Sequence, residues 1–281
     1  MKFLASSLFI FILSITQANA LMRALNTAAS GMTSQDAQIS TISNNIANAN
    51  TTGFKRERAE FEDLEYQTIV EAGARSDSNT MYNVGLQVGS GSKVSAVKRE
   101  FGEGSPLITN NPYDMMIRGE GFFGIMMPDG STTFTRDGSF SVNYQGQIVS
   151  KKGYRLFPGI QLPPNIVSVA ISETGVVEAY LRNQREPINV GTIPIFVFIN
   201  PPGLKSIGGN MFRDTRASGN AIQLVAGQEN AGQVVQGSLE SSNVSVMNEM
   251  TQLIKAQRTF EMNSKVMGVA DQMLQTVNNI R

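Results

Sequence analysis

Apolar residues near the N-terminus of the chain recur at helical spacing. From residue 25 to residue 46 the intervals alternate between three and four, and only Gln35 interrupts the apolar series. This heptad pattern is typical of a helix that packs along a narrow seam. The other faces carry Asn, Gln, Ser and Thr with almost no charge, whereas a solvated helix usually carries Glu and Lys. The pattern predicts a coiled-coil helix over residues 22–54, with a seam formed by Leu25, Ala28, Met32, Ile39, Ile42 and Ile46.

A second apolar series lies at the opposite end of the chain. It starts at Val246 with intervals of four and three, and beyond Phe260 it shifts to a neighbouring face. A helix that is apolar on several faces has to be covered on several sides. Residues 241–243, Ser-Ser-Asn, are candidates for the helix cap. The pattern predicts a coiled-coil helix over residues 239–281, with a seam formed by Met250, Leu253, Phe260, Val266, Met273 and Val277. An ordinary antiparallel helix pair within one monomer is the alternative.

The middle of the chain shows two further patterns. Residues 55–97 begin with a charged run and continue into a Gly-, Ser- and Asn-rich stretch, which predicts an extended connector or hairpin. Residues 98–238 alternate short apolar runs with turn sequences such as Pro-Asp-Gly, which predicts an antiparallel all-β domain. The predicted fold class is therefore α+β, with terminal helices that form a coiled-coil layer and a central antiparallel all-β domain.

A polar stretch separates the N-terminal seam from the connector. Residues 48–53 read Asn-Ala-Asn-Thr-Thr-Gly, a run of turn formers that ends in a residue tolerant of left-handed backbone. We expect this run to stop the helix and Phe54 to anchor the chain as it leaves.

The first twenty residues form a pattern of their own. Lys2 precedes an apolar run over residues 3–15, and a polar tail ends in Ala18-Asn19-Ala20. This order is typical of a secretory signal peptide. The run is shorter than the ~20 residues of a permanent membrane span, so we expect no membrane insertion of the mature chain. The alternative is a start codon assigned too early, since Met22 could itself begin the protein.

Composition narrows the chemistry. The chain contains neither Cys nor His, which excludes disulfides, Cys/His zinc sites and imidazole-based triads. Lys+Arg and Asp+Glu both total 23, so no basic excess indicates a nucleic-acid partner. We expect no cofactor and no metal.

Two motifs that resemble catalytic or cofactor sites have simpler explanations. Residues 119–124 read GEGFFG, but an apolar run and a Pro-Asp-Gly turn follow, so we expect two strands joined by a bend instead of a phosphate loop. Among the carboxylates Asp114, Glu120, Asp129 and Asp137, a glycosidase pair is conceivable. Asp129 and Asp137, however, each precede a Gly in a turn sequence, and Trp is absent. We therefore expect no enzymatic activity.

Three ordered blocks carry a resemblance to a known family. The blocks are AASGMTSQDAQISTISNNIANANTTGFKRERAEFEDLEYQTI at residues 28–69, GEGFF with FTRDGSFSVNYQGQIVSKKGYRL in the centre, and GSLESSNVSVMNEMTQLIKAQRTFEMNSKVMGVADQML at residues 237–274. They resemble the N-terminal, central and C-terminal signatures of the flagellar rod and hook proteins. The stretch 66–97, with GLQVGSGSKV, is most similar to distal rod members of that family.

The resemblance implies an exported structural subunit of the flagellar basal body, in the part that extends from the periplasm to the outer membrane. It implies helical self-assembly into a hollow drive shaft that transmits torque to the hook. The implied partners are further copies, proximal rod proteins, the hook protein and the surrounding rings. The two predicted seams would pack against each other in an inner tube. The residues that match the polar stop of the family are Ser43, Asn44, Asn45, Asn48, Gly53 and Phe54.

The resemblance also implies export through the flagellar type III channel, without a cleaved signal. Residues 1–20 depart from that expectation, so either the start is misassigned or the subunit uses the general secretory route. Because one monomer covers both seams poorly, we expect its ends to stay largely disordered until subunits dock.

Three alternative functions remain open from the residues alone. The chain could be a proximal rod subunit, a secreted oligomeric β-domain binding module such as an adhesin, or a periplasmic hydrolase that uses carboxylates.

Overall fold

Two long helices at the chain ends and antiparallel strands between them confirm the α+β class. The computed structural model describes residues 2–77, 80–182, 186–228 and 230–279, and it describes side chains at residues 22–75, 81–182, 186–228 and 230–276. The helices are α1 (Lys2–Ala47) and α2 (Val246–Asn279). The coiled-coil layer, which involves several copies, stays a prediction.

The chain divides into two compact units. The first, here the helical unit, comprises Met1–Asn44, Glu57–Lys98 and Met247–Arg281. The second, here the β unit, comprises Asn45–Arg56 and Arg99–Val246.

A long antiparallel hairpin belongs to the helical unit. Its strands pair in nested order, β1 with β6, β2 with β5 and β3 with β4. These are β1 (Glu57–Asp63), β2 (Gln67–Val70), β3 (Arg75–Asp77), β4 (Thr80–Met81), β5 (Leu86–Val88) and β6 (Ser92–Arg99). The predicted connector thus consists largely of paired strands, and many of its apolar side chains are exposed.

Short antiparallel strands build the β unit. They are β7 (Pro106–Ile108), β8 (Met115–Arg118), β9 (Phe122–Met126), β10 (Thr132–Thr135), β11 (Phe140–Val142), β12 (Ile148–Ser150), β13 (Arg155–Leu156), β14 (Ile166–Ile171), β15 (Val176–Leu181), β16 (Ile188–Thr192), β17 (Pro194–Val197), β18 (Lys205–Gly208), β19 (Met211–Arg213), β20 (Ile222–Val225), β21 (Gln233–Gln236) and β22 (Ser238–Glu240). The main sheet runs β11-β12-β13-β9-β10-β19-β18; in addition, β17 pairs with β9, and β20 pairs with β17. Strands β14-β15-β16 form a second sheet, while β8 pairs with β21 and β7 with β22.

Strand β9 lies between two hydrophobic clusters of the β unit. Phe123 belongs to an aliphatic-rich cluster with Met115 and Leu156. The next side chain towards the N-terminus, Phe122, belongs to a cluster of five buried phenylalanines. Alternate side chains of a strand point to opposite faces, so this one strand contributes to the core on both sides of the sheet.

The turns of the β unit use the residues that the sequence indicated. Asp129 accepts hydrogen bonds from the backbone and hydroxyl of Ser131, and Asp137 does the same for Ser139. The GEGFFG motif connects β8 to β9, as predicted, and it opens no helix. Asp114 accepts hydrogen bonds within its own loop, from Thr109 at 2.7 Å.

Each helix differs from its predicted range at the end that leads into the middle of the chain: α1 ends earlier than predicted, and α2 begins later. Helix α1 ends at Ala47 instead of residue 54, because residues 48–54 form successive turns. Helix α2 begins at Val246 instead of residue 239, because residues 238–240 pair with β7 as strand β22. The β unit is therefore larger than the predicted β domain of residues 98–238, because it also includes residues 45–56 and the segment up to residue 246.

Candidate functional site

Small and polar residues line the buried side of helix α2. Gly31 of α1 lies so close to Asn263 that a Cβ atom at position 31 would stand 2.8 Å from the Asn263 side-chain nitrogen. Ala256 and Ala270, each seven residues from Asn263, are buried, and so is Glu249. Seven residues make about two helical turns, so these four residues share one side of α2. We call this side the inner stripe.

Large exposed apolar residues occupy much of the surface of α2 outside the inner stripe. Met247 precedes Ala256 by nine residues, and nine residues rotate a helix by about 900°, which is half a turn beyond whole turns. Met247 is 75% exposed and Val266 is 51% exposed. We call this exposed surface the outer face and define it as Met247, Met250, Ile254, Met262, Val266, Val269 and Met273, of which Val266 and Met273 flank the inner stripe. Basic residues such as Lys255 interrupt it.

The two predicted seams are unequally covered. In α1, Ala28 and Ile42 are buried, and the remaining seam residues are half-buried, namely Leu25, Met32, Ile39 and Ile46. In α2, Leu253 is half-buried, whereas exposure between 37% and 51% is found at Met250, Phe260, Val266 and Met273. The side chain of Val277 lies outside the described residues. The pairing of one seam with the other stays a prediction, and the inner stripe was not part of it.

The polar stop is anchored inside the β unit. Asn45 is completely buried, and the Gly53 N–H donates to the Glu240 carbonyl at 2.8 Å. Gly53 has a φ of +66°, and a Cβ atom there would stand 2.6 Å from the backbone nitrogen of Asp137. The Thr52 hydroxyl donates to the Asp137 carboxylate at 2.9 Å. Position 53 therefore needs glycine both for its backbone conformation and for its close packing.

The remaining residues of the stop have separate roles. The Asn44 amide donates to Glu57 at 3.0 Å, and Asn48 accepts from the Thr51 hydroxyl at 3.2 Å. Phe54 is buried, as an anchor should be, whereas Ser43 is exposed.

A buried ionic cluster follows directly after the stop. The Lys55 ammonium donates to the Glu240 carboxylate at 2.5 Å and to the Gly102 carbonyl at 2.8 Å. Arg136 donates to the Gly119 carbonyl at 2.7 Å and lies 3.5 Å from Glu240. The side chains of Lys55 and Glu240 are fully buried, and that of Arg136 is 3% exposed. Two cations thus share one carboxylate, and backbone carbonyls stabilise the remaining positive charge.

Burial dominates the protonation behaviour of both cations. It lowers the pKa of Lys55 from its ordinary value of 10.5, and attraction to Glu240 opposes this shift. It also lowers the pKa of Arg136, again against the attraction of Glu240. The Glu240 carboxylate is therefore the main group that stabilises the two buried positive charges.

Asn243 ties the same two chain segments together. Its side-chain oxygen accepts from the Arg56 N–H at 2.7 Å, and its amide donates to the Glu100 carbonyl at 2.9 Å. The Glu100 N–H in turn donates to the Arg56 carbonyl at 2.8 Å. The segment that follows α1 and the segment that precedes α2 are therefore joined within the β unit.

Sequence reasoning missed this junction. Lys55 was expected in the charged run that begins the connector, and Asn243 was expected to cap α2, but the helix begins three residues later. The ionic partner of Lys55, Glu240, is 185 residues away in sequence, and the Glu100 carbonyl that Asn243 binds is 143 residues away, beyond the reach of any local pattern. The only available signal was the placement of Lys55 next to the apolar anchor Phe54.

The described part of the chain contains neither a candidate membrane-spanning helix nor a candidate metal site. No helix in it has the length and apolar character needed to cross a lipid bilayer. Its acidic side chains likewise form no group of three that could hold a metal ion.

Three family models match successive parts of the chain. "Flagella basal body rod protein" matches residues 25–55, "Flagellar hook protein FlgE/F/G D1 domain" matches residues 116–179, and "Flagellar basal body rod FlgEFG protein C-terminal" matches residues 235–280. These ranges contain the polar stop, much of the main sheet and helix α2.

Curated relatives match almost the entire chain. The flagellar basal-body rod protein FlgG of Caulobacter vibrioides is 48% identical over 261 residues, which cover 92% of this chain and 100% of that protein. FlgG of Borreliella burgdorferi is 46% identical over 263 residues, covering 93% and 99%. FlgG of Bacillus subtilis is 33% identical over 269 residues, covering 93% and 100%. The family expected from the three sequence blocks is confirmed. The chain belongs to the flagellar basal-body rod protein family, as a structural and non-enzymatic subunit of the distal rod.

Proposed function

We propose that this subunit polymerises by burying the outer face of α2 against neighbouring copies. Assembly into a rod polymer with other flagellar rod and hook components is the family's role. The finer proposal is that the terminal helices of successive copies form the wall of a hollow shaft, and that the two predicted seams meet there.

One observation carries this proposal. Helix α2 buries Ala256 and Ala270 and half-buries larger residues such as Leu253. The seven large apolar residues of the outer face are nevertheless at least 45% exposed, which burial energies disfavour in a monomer. Complete burial of a Val, Ile or Met side chain contributes about 1.5–3 kcal/mol relative to full exposure. Several half-exposed residues per copy therefore give each docking event a substantial apolar driving force, which ordering entropy partly offsets.

The surrounding partners are part of the same proposal. The shaft continues from proximal rod proteins to the hook protein, and ring proteins enclose it. The Asn-, Gln-, Ser- and Thr-rich faces of α1 suit the lining of a lumen through which other chains pass, because they are polar yet nearly uncharged.

A pair of substitutions at one position tests the role of the outer face. Val266→Asp places a charge where a neighbour is proposed to dock, and burial of an unpaired carboxylate is strongly unfavourable. Val266→Leu keeps the site apolar. Purified full-length subunits would be compared by sedimentation and electron microscopy of polymers, with the flagellar motility of cells as a second readout.

The expected result is loss of polymers with Val266→Asp and their retention with Val266→Leu. Both variants should keep the thermal stability of the monomer, because Val266 is half exposed there. Normal polymers of the Asp variant would refute the proposal.

A further inference from the structure

The outer face of α2 is unusual in its sulfur content. Four of its seven members are methionines, here called the outer methionines: Met247, Met250, Met262 and Met273. Their exposed fractions lie between 45% and 75%. Three methionines of the β unit provide the opposite case, since Met115, Met116 and Met211 are at most 5% exposed.

A thioether in water reacts with peroxides, and burial protects it. In this reaction the sulfur takes one oxygen atom and loses two electrons, the O–O bond of hydrogen peroxide breaks, and water leaves. The chain has no cysteine, so no thiol of its own competes for the oxidant. In the free subunit the outer methionines are therefore open to this reaction.

Oxidation changes the character of the surface that has to be buried. Methionine sulfoxide is a polar, chiral side chain with a strong hydrogen-bond acceptor, whereas methionine is flexible and apolar. An acceptor buried without a donor opposes docking. The oxidised outer face would thus lose the property on which assembly depends.

We propose that the outer methionines are an oxidative modification site that controls entry of the subunit into the polymer. Peroxide converts them to sulfoxides in the free subunit, and subunits with sulfoxides are excluded from growing ends. In the polymer the same side chains are covered and resist peroxide. This inference rests on the proposed burial of the outer face.

Peroxide treatment of the full-length chain tests the site directly. Free subunits and preformed polymers would receive equal hydrogen peroxide, and peptide mass spectrometry would follow the +16 Da mass of each methionine, which is about the mass of the one oxygen atom added. In free subunits the outer methionines should oxidise at least about tenfold faster than Met115, Met116 and Met211. In polymers this difference should shrink severalfold. Equal rates for outer and buried methionines in free subunits would overturn the inference.

Two matched variants link the chemistry to assembly. One carries leucine at all four outer methionines, which preserves volume and removes the reactive sulfur. The other, Met22→Leu/Met81→Leu, removes two exposed methionines elsewhere and leaves the outer four in place. After peroxide, the wild type and the second variant should need about tenfold or more higher concentration to polymerise. The outer leucine variant should polymerise after peroxide at the same concentration that this variant needs before peroxide, even if that concentration differs from the wild-type value.

Enzymatic reduction separates sulfoxide formation from other damage. Treatment with methionine sulfoxide reductases should restore polymerisation of the oxidised wild type. Fully oxidised wild type that polymerises like the untreated protein would refute this inference while leaving the proposed function intact. Failure of untreated wild type to polymerise would instead refute the proposed function, and this inference with it.

Discussion

Lys55 and Glu240 form a fully buried ion pair between segments that are 185 residues apart in sequence. Arg136 shares the same carboxylate, and Gly53 donates its N–H to the backbone of the same glutamate. Glu240 therefore joins the segment after α1 to the segment before α2. The junction lies where the chain changes from helix to β structure at both ends.

The cluster contains two cations and one carboxylate. Neutralising the carboxylate should therefore destabilise the fold more than neutralising one of the cations. Glu240→Gln removes the one carboxylate that both buried cations contact and leaves them the weaker attraction of Glu103. Loss of one partner of a buried pair costs about 3–5 kcal/mol. Lys55→Met leaves Glu240 with Arg136 and with the Gly104 N–H at 2.9 Å, so we expect a smaller loss of about 1–3 kcal/mol. The free energy of unfolding from denaturant titrations would measure both.

The double variant and an exposed pair serve as controls. Glu240→Gln/Lys55→Met should be more stable than Glu240→Gln alone, because it removes one of the two buried cations that have lost their contacting carboxylate. Glu62→Gln breaks a pair with Lys93 that is largely exposed, and it should be near neutral. A Lys55→Met variant less stable than Glu240→Gln would contradict the charge argument.

The lowered pKa of Lys55 predicts a pH dependence of stability. Between its folded pKa and the unfolded value near 10.5, the unfolded chain binds more protons than the folded chain. The contribution of Lys55 to the free energy of unfolding should therefore rise with pH through this window and be constant below the folded pKa. The measurement is the stability difference between wild type and Lys55→Met up to pH 11, since tyrosines and other lysines largely cancel in it. A difference that falls as pH rises would show a raised pKa instead.

Gly53 should tolerate no side chain. Gly53→Ala combines a left-handed backbone with contact to the Asp137 backbone, whereas Gly153→Ala has a φ of +80° and open space around its Cβ position. The control should lose about 1–2 kcal/mol from backbone strain alone. Gly53→Ala should lose about 1–3 kcal/mol more. Thermal unfolding of the two purified variants would measure both losses of stability. Equal losses would mean that the backbone around Gly53 rearranges to accept a Cβ atom without a further loss of stability.

Local patterns predicted the elements of this fold, but they did not predict which surfaces remain uncovered. Helical periodicity indicated both helices, and Asp-Gly dipeptides indicated turns such as that of Asp129. Periodicity reports which residues are apolar, not what covers them, so the seam around Met250 was identified while the inner stripe around Asn263 was missed. The ion pair of Lys55 with Glu240 depends on long-range topology, which spacing does not encode.

Two substitutions distinguish a cleaved signal in the first twenty residues from a translation start at Met22. If these residues are a cleaved signal, Ala20→Leu should block processing and leave a larger protein, while Met22→Ile should have little effect on its amount. If translation starts at Met22, Met22→Ile should abolish the protein and Ala20→Leu should change nothing. We expect the first outcome. N-terminal sequencing of the protein from purified basal bodies would then begin at Leu21.

Assembly should change the order of α2 more than that of the β unit. Among the described side chains of α2, the only buried apolar residues are Ala256 and Ala270, so intramolecular apolar packing contributes little of the energy needed to hold a long helix. We therefore expect backbone amides of residues 247–276 to exchange rapidly with deuterium in dilute subunits and slowly in polymers. Amides of β9 should be protected in both states, because Phe122 and Phe123 lie in a core that needs no second copy. Slow exchange throughout α2 in the dilute subunit would mean that the helix is already stable alone, and that docking gains its energy by covering the outer face without ordering the chain.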